Sequence, residues 1–258
     1  MTAVATTPAR NTAKPKPAIT RDRYHRYTYE GRTYPGVTSV LKVIDKSDAL
    51  MAWASRNTAQ AALAQLDHLA GLRDTVGPEG VIKALTARSG WKRDEAAAAG
   101  SDIHGLAERI AKGEALPDVP EPIRARVEAY ATWWAQSGWR ARLTEAFVVE
   151  PDLGYGGTLD LLAYDESGRT VLADVKSGKS VYSETRLQLL AYGEAALIAP
   201  QHSPVAYPMP AIDRYVVLHV TDGGVRVIDV EVDDDDRAAF RACLPLSRWH
   251  TAMKGQRL

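Results

Sequence analysis

The sequence has little cysteine: Cys243 is the only one among 258 residues. One thiol cannot form an internal disulfide and cannot supply the four thiolates of an iron–sulfur cluster. The sequence also lacks the run of roughly 18 apolar residues that spans a membrane. We therefore expect no disulfide scaffold, no iron–sulfur cluster and no membrane association, and a reducing, cytoplasmic setting.

An excess of charge is absent as well, because 32 Lys and Arg residues balance 32 Asp and Glu residues. Bulk charge therefore gives no indication of a nucleic-acid partner, although a local basic groove is compatible with a neutral total. The first 20 residues lack the apolar core of a signal peptide. They are small and polar, with several Pro and Lys residues, and they predict a disordered tail over residues 1–20.

The remaining sequence has the composition of a globular domain, with 45% hydrophobic and 25% charged residues. Residues 21–258 are predicted to form one domain, with a largely helical part over 21–137 and a core over 138–258. Apolar periodicity predicts helices and strands, and Gly- or Pro-bearing turns separate them. The predicted helices are Ala49–Leu72, Pro78–Ser89, Lys92–Lys112, Pro122–Ser137, Glu184–Leu197 and Asp233–Ala252, and the predicted strands are Arg142–Glu150, Thr158–Tyr164, Thr170–Lys176, Asp213–Val220 and Val225–Val232.

This order predicts an α/β fold with a central mixed β-sheet flanked by helices and an α-helical N-terminal elaboration. Most strands follow one another through short turns, which favours hairpins over a regular βαβ alternation. A further small hairpin is predicted over Tyr24–Tyr34, and the Pro-rich stretch Pro200–Pro210 is predicted to be a loop.

Two carboxylates and a lysine stand at the ends of successive predicted strands. Asp160 ends the run GGTLD, and Asp174 and Lys176 belong to the run ADVKSGK. Since alternate residues of a strand share a face, Asp174 and Lys176 point the same way. If the turn at 165–168 closes a hairpin, Asp160 and Asp174 meet across one strand pair. Their mutual repulsion would be removed by a hard divalent cation such as Mg²⁺ or Mn²⁺.

These motifs resemble the PD-(D/E)XK nuclease superfamily, and within it the RecB-like branch that includes phage exonucleases. The family pattern is a helix with a metal-binding His, a Gly-x-x-Asp strand, an (Asp/Glu)-x-Lys strand and a helix with Gln-x-x-x-Tyr. It matches residues over roughly 100–195 of this chain. The matching residues are His104 in GSDIHGLAERI, Asp160, Asp174, Lys176, and Gln188 and Tyr192 in QLLAY.

The resemblance implies a restriction-endonuclease-like core and a role for each matched residue. By this resemblance His104, Asp160 and Asp174, together with the Val175 carbonyl, bind Mg²⁺ or Mn²⁺, and the imidazole favours Mn²⁺. Lys176 is implied to be the catalytic lysine. Gln188 and Tyr192 are implied to line the site and contact the DNA backbone. Many relatives carry a four-cysteine iron–sulfur cluster, so the single cysteine makes the cluster-free phage type the nearer analogue.

The expected function is a metal-dependent deoxyribonuclease, preferably an exonuclease of phage-type recombination or replication in an infected host. The expected partners are linear or single-stranded DNA ends and a recombination or replication protein. An endonuclease of the same chemistry, a DNA-end-binding module without cleavage and an RNA-directed nuclease stay open, as does the oligomeric state. Two acidic residues are also left open: Glu108 could orient His104 or be solvated, and Glu145 could join the site or lie on the surface.

Overall fold

The computed structural model describes residues 16–44 and 47–254, and these residues form a mixed α/β structure built on two sheets. No helix in this part of the chain is long and apolar enough to cross a membrane. The strands are β1 (Lys16–Pro17), β2 (Thr20–Arg21), β3 (Arg26–Tyr29), β4 (Arg32–Pro35), β5 (Arg140–Glu150), β6 (Tyr155–Tyr164), β7 (Thr170–Lys176), β8 (Leu197–Ala199), β9 (Val205–Pro208), β10 (Arg214–Thr221) and β11 (Gly224–Val230).

The larger sheet has the strand order β1-β9-β8-β5-β6-β7-β10-β11. Its neighbouring strands are antiparallel except for the parallel pair of β7 and β10, so the sheet is mixed as predicted. The smaller sheet consists of β2, β3 and β4 in sequence order. The parallel pair places the ends of β7 and β10 at one edge, next to the start of the helix that follows β7.

Helices cover both faces of the larger sheet, which confirms the predicted layer arrangement. They are α1 (Val37–Val40), α2 (Ser47–Leu63), α3 (Leu66–Lys112), α4 (Glu121–Ser137), α5 (Glu184–Gly193) and α6 (Asp234–Met253). On one face α1, α5 and α6 pack around Leu159, Leu172 and Leu190, all of which are almost fully buried. On the other face the C-terminal part of α3 and α4 pack against alternate strand residues such as Leu161 and Ala173.

Several element boundaries differ from those predicted. The helix predicted over Ala49–Leu72 breaks between α2 and α3, and the two helices predicted over Pro78–Ser89 and Lys92–Lys112 are continuous. The interruption within α3 lies at Gly77, whose φ of 74° departs from helical geometry immediately before Pro78. Pro fits the first turn of a helix, so it marks a new beginning there.

The segment after α5 also differs from its prediction. The helix ends at Gly193 instead of Leu197, and Leu197–Ala199 pairs with β5 as the buried strand β8. The Pro-rich loop contains β9, which pairs with β8. Of the predicted tail, residues 1–15 lie outside the described residues, while Lys16–Pro17 forms β1 at the sheet edge.

Candidate metal centre

The candidate site lies where β6 and β7 separate. The two strands pair regularly as far as Leu161 and Ala173, and Asp160 and Asp174 occupy the next positions. At this point a side chain replaces the backbone hydrogen bonds between the two strands, because the Val175 N–H donates to Asp160 Oδ2 at 2.7 Å. Beyond this point β6 continues to pair with β5, and β7 continues to pair with β10. The separation opens the sheet at the position of the two carboxylates.

Asp174 and Lys176 form the part of the site that we call the inner pair. Lys176 Nζ lies 2.6 Å from Asp174 Oδ2, and Asp174 is only 1% exposed. Gln188 Nε2 on α5 donates to Asp174 Oδ1 at 2.9 Å and lies 3.3 Å from the Tyr192 hydroxyl one turn later. Helix α5 therefore brings both of its predicted residues against the inner pair.

His104, Glu145 and Asp160 form a second group, which we call the outer triad. His104 on α3 places Nδ1 3.4 Å from Asp160 Oδ2. One ligand atom from each of the three residues lies within 4.8 Å of the other two. An imidazole nitrogen and two carboxylate oxygens at this spacing form a donor set that suits a first-row divalent ion.

Glu145 joins this group through an unusual backbone conformation. By the register of its neighbours it stands directly opposite Asp160, since Thr144 pairs with Leu161 and Ala146 pairs with Leu159. Its φ is 47°, a left-handed value that non-glycine residues rarely adopt and that is costly within a strand. Such outliers persist where the surrounding structure imposes them and are common at functional sites. Nothing in the local sequence indicates this conformation, although strand pairing with Asp160 could have located Glu145.

The two aspartates have pKa values shifted in opposite directions. Burial and the negative charge of Asp160 raise the pKa of Asp174 to about 6, although Lys176 opposes this shift. For Asp160, burial acts to raise the pKa, but the positive charge and hydrogen bonding of His104 outweigh it and hold the pKa below its usual range. The site therefore holds one carboxylate firmly ionised and one that is close to protonation.

The other titratable groups respond to the same charges. Burial works against the imidazolium of His104, but attraction to Asp160 outweighs it and raises the pKa of His104 to about 9. Burial and repulsion from Asp160 raise the pKa of Glu145 to about 7. Burial likewise disfavours the Lys176 ammonium, but Asp174 and Asp160 raise the pKa of Lys176 above its ordinary value. Without a metal ion, the buried negative charges of the cluster are unfavourable, and the raised pKa values show that His104 and Glu145 bind protons more tightly.

The donor set fits a divalent metal ion. The outer triad offers one nitrogen and two carboxylate oxygens within coordinating reach of one point. Next to it, the buried Asp174 Oδ2 has the Lys176 ammonium at 2.6 Å as its partner. The Asp174 carboxylate is therefore already stabilised by a positive group, and a metal ion would add a second one.

The site opens into a cleft of about 700 Å³. His104, Asp160, Lys176, Gln188 and Tyr192 all line it, whereas Asp174 is buried behind them. Its further lining comes from parts of the chain to which the sequence motifs assigned no role: Arg21, His25, Tyr27, Thr38, Gly100, Ser101, Gly105 and Thr158. Thr158 could have been found from strand alternation, since it lies two residues before Asp160. The cleft residues of the small sheet carry no such local signal.

Two glycines bring the walls of this cleft together. A Cβ on Gly156 would lie 2.6 Å from the Tyr27 side chain, and a Cβ on Gly157 would lie 2.3 Å from the Tyr192 ring. Both distances are shorter than real contacts, so the two rings occupy space that only glycine leaves free. The Gly-Gly of the GGTLD run therefore allows the small sheet and α5 to pack on opposite faces of β6.

The two residues left open by the sequence have different positions. Glu145 belongs to the outer triad, whereas Glu108 accepts hydrogen bonds from Lys112 at 2.6 Å and Thr144 at 3.2 Å. Glu108 therefore pairs along its own helix and with β5, and it lines the cleft together with Glu145. The Val175 N–H donates to Asp160 Oδ2 and holds that carboxylate in place.

Comparison with known proteins adds little to this description. No protein-family model matches the chain, and no curated protein matches it. A solved structure described as the crystal structure of SSO0001 is similar over 50% of this chain and 58% of that chain, with 9% sequence identity and a TM-score of 0.30. A similarity of this extent supports no argument about fold or function.

Proposed function

We propose that this protein is a divalent-metal-dependent deoxyribonuclease of the PD-(D/E)XK superfamily, in its RecB-like branch and with a restriction-endonuclease-like core. The supporting observation is convergence: His104 of the distant helix α3 meets Asp160 of β6, while Asp174 of β7 lies buried behind Lys176, which lines the same cleft as His104 and Asp160. Each residue also stands in the motif position that the family resemblance assigns to it. A chance cluster on a solvated hairpin would not place a helix histidine beside the first carboxylate.

His104, Asp160 and Asp174 would hold Mg²⁺ or Mn²⁺, with Glu145 as a further carboxylate and the Val175 carbonyl as the backbone ligand of the family pattern. When bound, the ion polarises a phosphoryl oxygen and makes a bound water more acidic. The chain contributes the remaining parts of the chemistry. Lys176 lines the cleft, with its ammonium held by Asp174, and would offset negative charge that develops on the phosphate in the transition state.

Gln188 and Tyr192 hold the inner pair in position. The Gln188 amide fixes Asp174 Oδ1 while its own orientation is held by the Tyr192 hydroxyl and Lys176. Because Tyr192 is buried, it acts through this hydrogen bond and by shaping the cleft wall. The expected substrate is DNA with free ends, and the role is exonucleolytic, in recombination or replication of the phage type, with a recombination or replication protein as partner.

The test compares end-labelled linear DNA with closed circular DNA in the presence of Mg²⁺ or Mn²⁺. We expect the wild type to degrade linear molecules, and we expect Lys176→Ala and Asp174→Ala to lose about 10²–10³-fold in rate, as for other transition-state stabilisers. DNA binding by both variants should largely survive, since neither change removes the cleft walls. Lys83→Ala, which removes an exposed lysine of α3, is the matched control and should cut normally.

Each alternative outcome has a distinct meaning. Nicking of circular DNA would replace the exonuclease role by an endonuclease role with the same chemistry. Protection of ends without loss of label would indicate a binding module. Preferential loss of RNA label would indicate an RNA-directed nuclease. Normal cutting by Asp174→Ala would overturn the site assignment.

A further inference from the structure

The small sheet forms one wall of the candidate cleft and carries unpaired positive charge. Tyr27 on β3 packs on β6, where its hydroxyl lies 2.8 Å from Thr158 Oγ1, and Gly36 forms a bridge to Gly156. Through these contacts the wall is fixed to the strand that bears Asp160. Residues of the wall therefore keep a constant position relative to the candidate metal centre.

The turn between β2 and β3 is rigid. Asp22 Oδ1 accepts the N–H groups of Tyr24 at 2.8 Å and Arg26 at 3.0 Å, and Asp22 Oδ2 accepts Arg26 Nε at 2.7 Å. His25 at its tip has a φ of 56° and lines the cleft. Asp22 thus holds the turn by hydrogen bonds, and its ion pair is with Arg26.

Arg21 and Arg23 are left without carboxylate partners. Arg21 lines the cleft, and its Nη1 donates to Thr158 Oγ1 at 3.2 Å. Arg23 contacts the exposed Tyr24, with Nη2 2.6 Å from the hydroxyl and the guanidinium carbon 4.7 Å from the ring centroid. Among the described residues, neither guanidinium lies within ion-pair distance of an acidic group, whereas Arg26 is paired.

The guanidinium groups of Arg21 and Arg23, which have no carboxylate partner among the described residues, can attract a phosphate to the cleft. Glu145 and Asp160 line the cleft and repel a phosphodiester that approaches without a metal ion. Arginine binds phosphate through paired N–H donors in a fixed planar arrangement. Contacts of this kind position a nucleic acid without reading its sequence. Tyr24 would keep the Arg23 side chain extended and ready to bind.

We infer that Arg21 and Arg23 bind backbone phosphates of the DNA strand that enters the cleft, beside the scissile position. The inference rests on the proposed function for the identity of the ligand. Arg21 lines the cleft and serves a phosphate next to the candidate metal centre. Arg23 is exposed on the turn outside the cleft lining and serves a phosphate farther out along the same strand. Tyr24 is a positioning residue for Arg23.

The test measures binding of a fluorescent single-stranded oligonucleotide by anisotropy, with Ca²⁺ in place of Mg²⁺ so that the DNA stays intact. Arg21→Ala combined with Arg23→Ala should weaken binding by about tenfold or more, as expected for the loss of two charged hydrogen-bonding groups. The slope of log affinity against log salt should fall by about 1 to 1.5, because two single-strand phosphate contacts are removed. Tyr24→Phe should cause a smaller loss, and Arg21→Lys should restore part of the affinity.

Arg32→Ala is the matched control, since Arg32 is exposed on β4 opposite Tyr29, at the end of the small sheet away from the turn between β2 and β3. It should leave affinity and salt slope unchanged. Equal thermal stability of all variants shows that the wall is folded in each.

The inference fails if the double variant binds DNA with the affinity and salt slope of the wild type. It also fails if the arginines matter only for RNA of the same sequence. Failure of the proposed function is a separate result: the wild type would bind DNA through these arginines and cut none with Mg²⁺ or Mn²⁺. Conversely, normal cutting with unchanged binding by the double variant would overturn the inference alone.

Discussion

The inner pair and the outer triad lie side by side, yet their negative charges are neutralised to different extents. Asp174 is met by the Lys176 ammonium and the Gln188 amide, so the chain itself supplies a cation and a donor. The outer triad has two carboxylates and only one imidazole, and it faces the open cleft. The difference indicates that a cation of the chain already offsets the charge of Asp174, whereas the outer triad carries more carboxylate charge than its one imidazole can offset.

The same contrast explains which groups hold protons. In the outer triad, the pKa values of His104 and Glu145 are raised to about 9 and about 7, so both bind protons that a metal ion would displace. In the inner pair, Lys176 keeps its charge because Asp174 and Asp160 outweigh its burial. Metal binding should therefore alter protonation mainly in the outer triad.

The largest expected effect comes from removing the charge of Asp160, which contacts His104 and is bonded to the backbone of β7 between Asp174 and Lys176. Asp160→Asn retains an oxygen to accept the Val175 N–H but removes the charge that attracts His104 and a cation. We expect Mn²⁺ affinity, measured by titration calorimetry, to fall by more than about 100-fold, which exceeds the effect typical of residues that only support a ligand.

Asp222→Asn is the control for that measurement, because Asp222 pairs with Arg126 on an exposed turn far along the sheet. It should bind Mn²⁺ as the wild type does. An unchanged affinity in Asp160→Asn would mean that the outer triad is not the metal centre, and the contrast between the two halves would lose its meaning.

A second effect concerns pH. Since His104 is protonated below about pH 9 in the metal-free protein, it must release that proton to become a ligand. Mn²⁺ affinity should therefore rise as pH increases towards 9, by up to about tenfold per pH unit for one proton. Calorimetry in buffers of different ionisation enthalpy should detect the released proton. His104→Gln should flatten this dependence, and an equally steep rise in that variant would contradict the assignment.

The smallest expected effect changes sign when metal is added. The pKa of Glu145 is raised from 4.5 to about 7, so the folded state holds this proton more tightly than the unfolded state. The destabilisation of the folded state by the Glu145 charge is absent below about pH 4.5, grows as pH rises and is fully present above about pH 7. Glu145→Gln should thus stabilise the metal-free protein above pH 7, by about 1–2 kcal/mol after allowance for solvent screening.

With Mn²⁺ the wild type should be more stable than Glu145→Gln, because it retains the additional carboxylate and binding of the ion stabilises it more. Thermal melts at about pH 8 with and without Mn²⁺ measure both effects. A variant that is less stable than the wild type without metal would show that Glu145 is a structural residue and not a ligand held in reserve.

The fold was largely predictable from the sequence because its strongest signals are local. Alternating apolar residues located β6 and β7, and the capping residues Asp233 and Asp236 marked the start of α6, where each side chain accepts the other's N–H. The wrong boundary after α5 has a tertiary cause, whereas the interruption of α3 lies at the local conformation of Gly77 before Pro78. Leu197 was predicted to be the last residue of a helix, but pairing with β5 in a buried position makes Leu197–Ala199 a strand.

The site was predictable only in part, for a related reason. The motifs named residues whose positions relative to one another follow from strand alternation and helical spacing, such as Asp174 with Lys176 and Gln188 with Tyr192. Glu145 depends on a left-handed residue within β5, and Arg21 depends on how a separate sheet docks on β6. Neither the backbone conformation of Glu145 nor the docking of the small sheet can be predicted from a short sequence motif.

The bare backbone at Gly156 and Gly157 sets the separation of the walls between which a substrate would lie. Tyr27 lies against one side of the strand and Tyr192 against the other, each in the space that a methyl group would occupy. A larger residue at Gly156 would displace the ring whose hydroxyl contacts Thr158, and one at Gly157 would displace the ring whose hydroxyl contacts Gln188. Substitution of a residue that has no reactive group would therefore change the shape of the cleft through its aromatic neighbours.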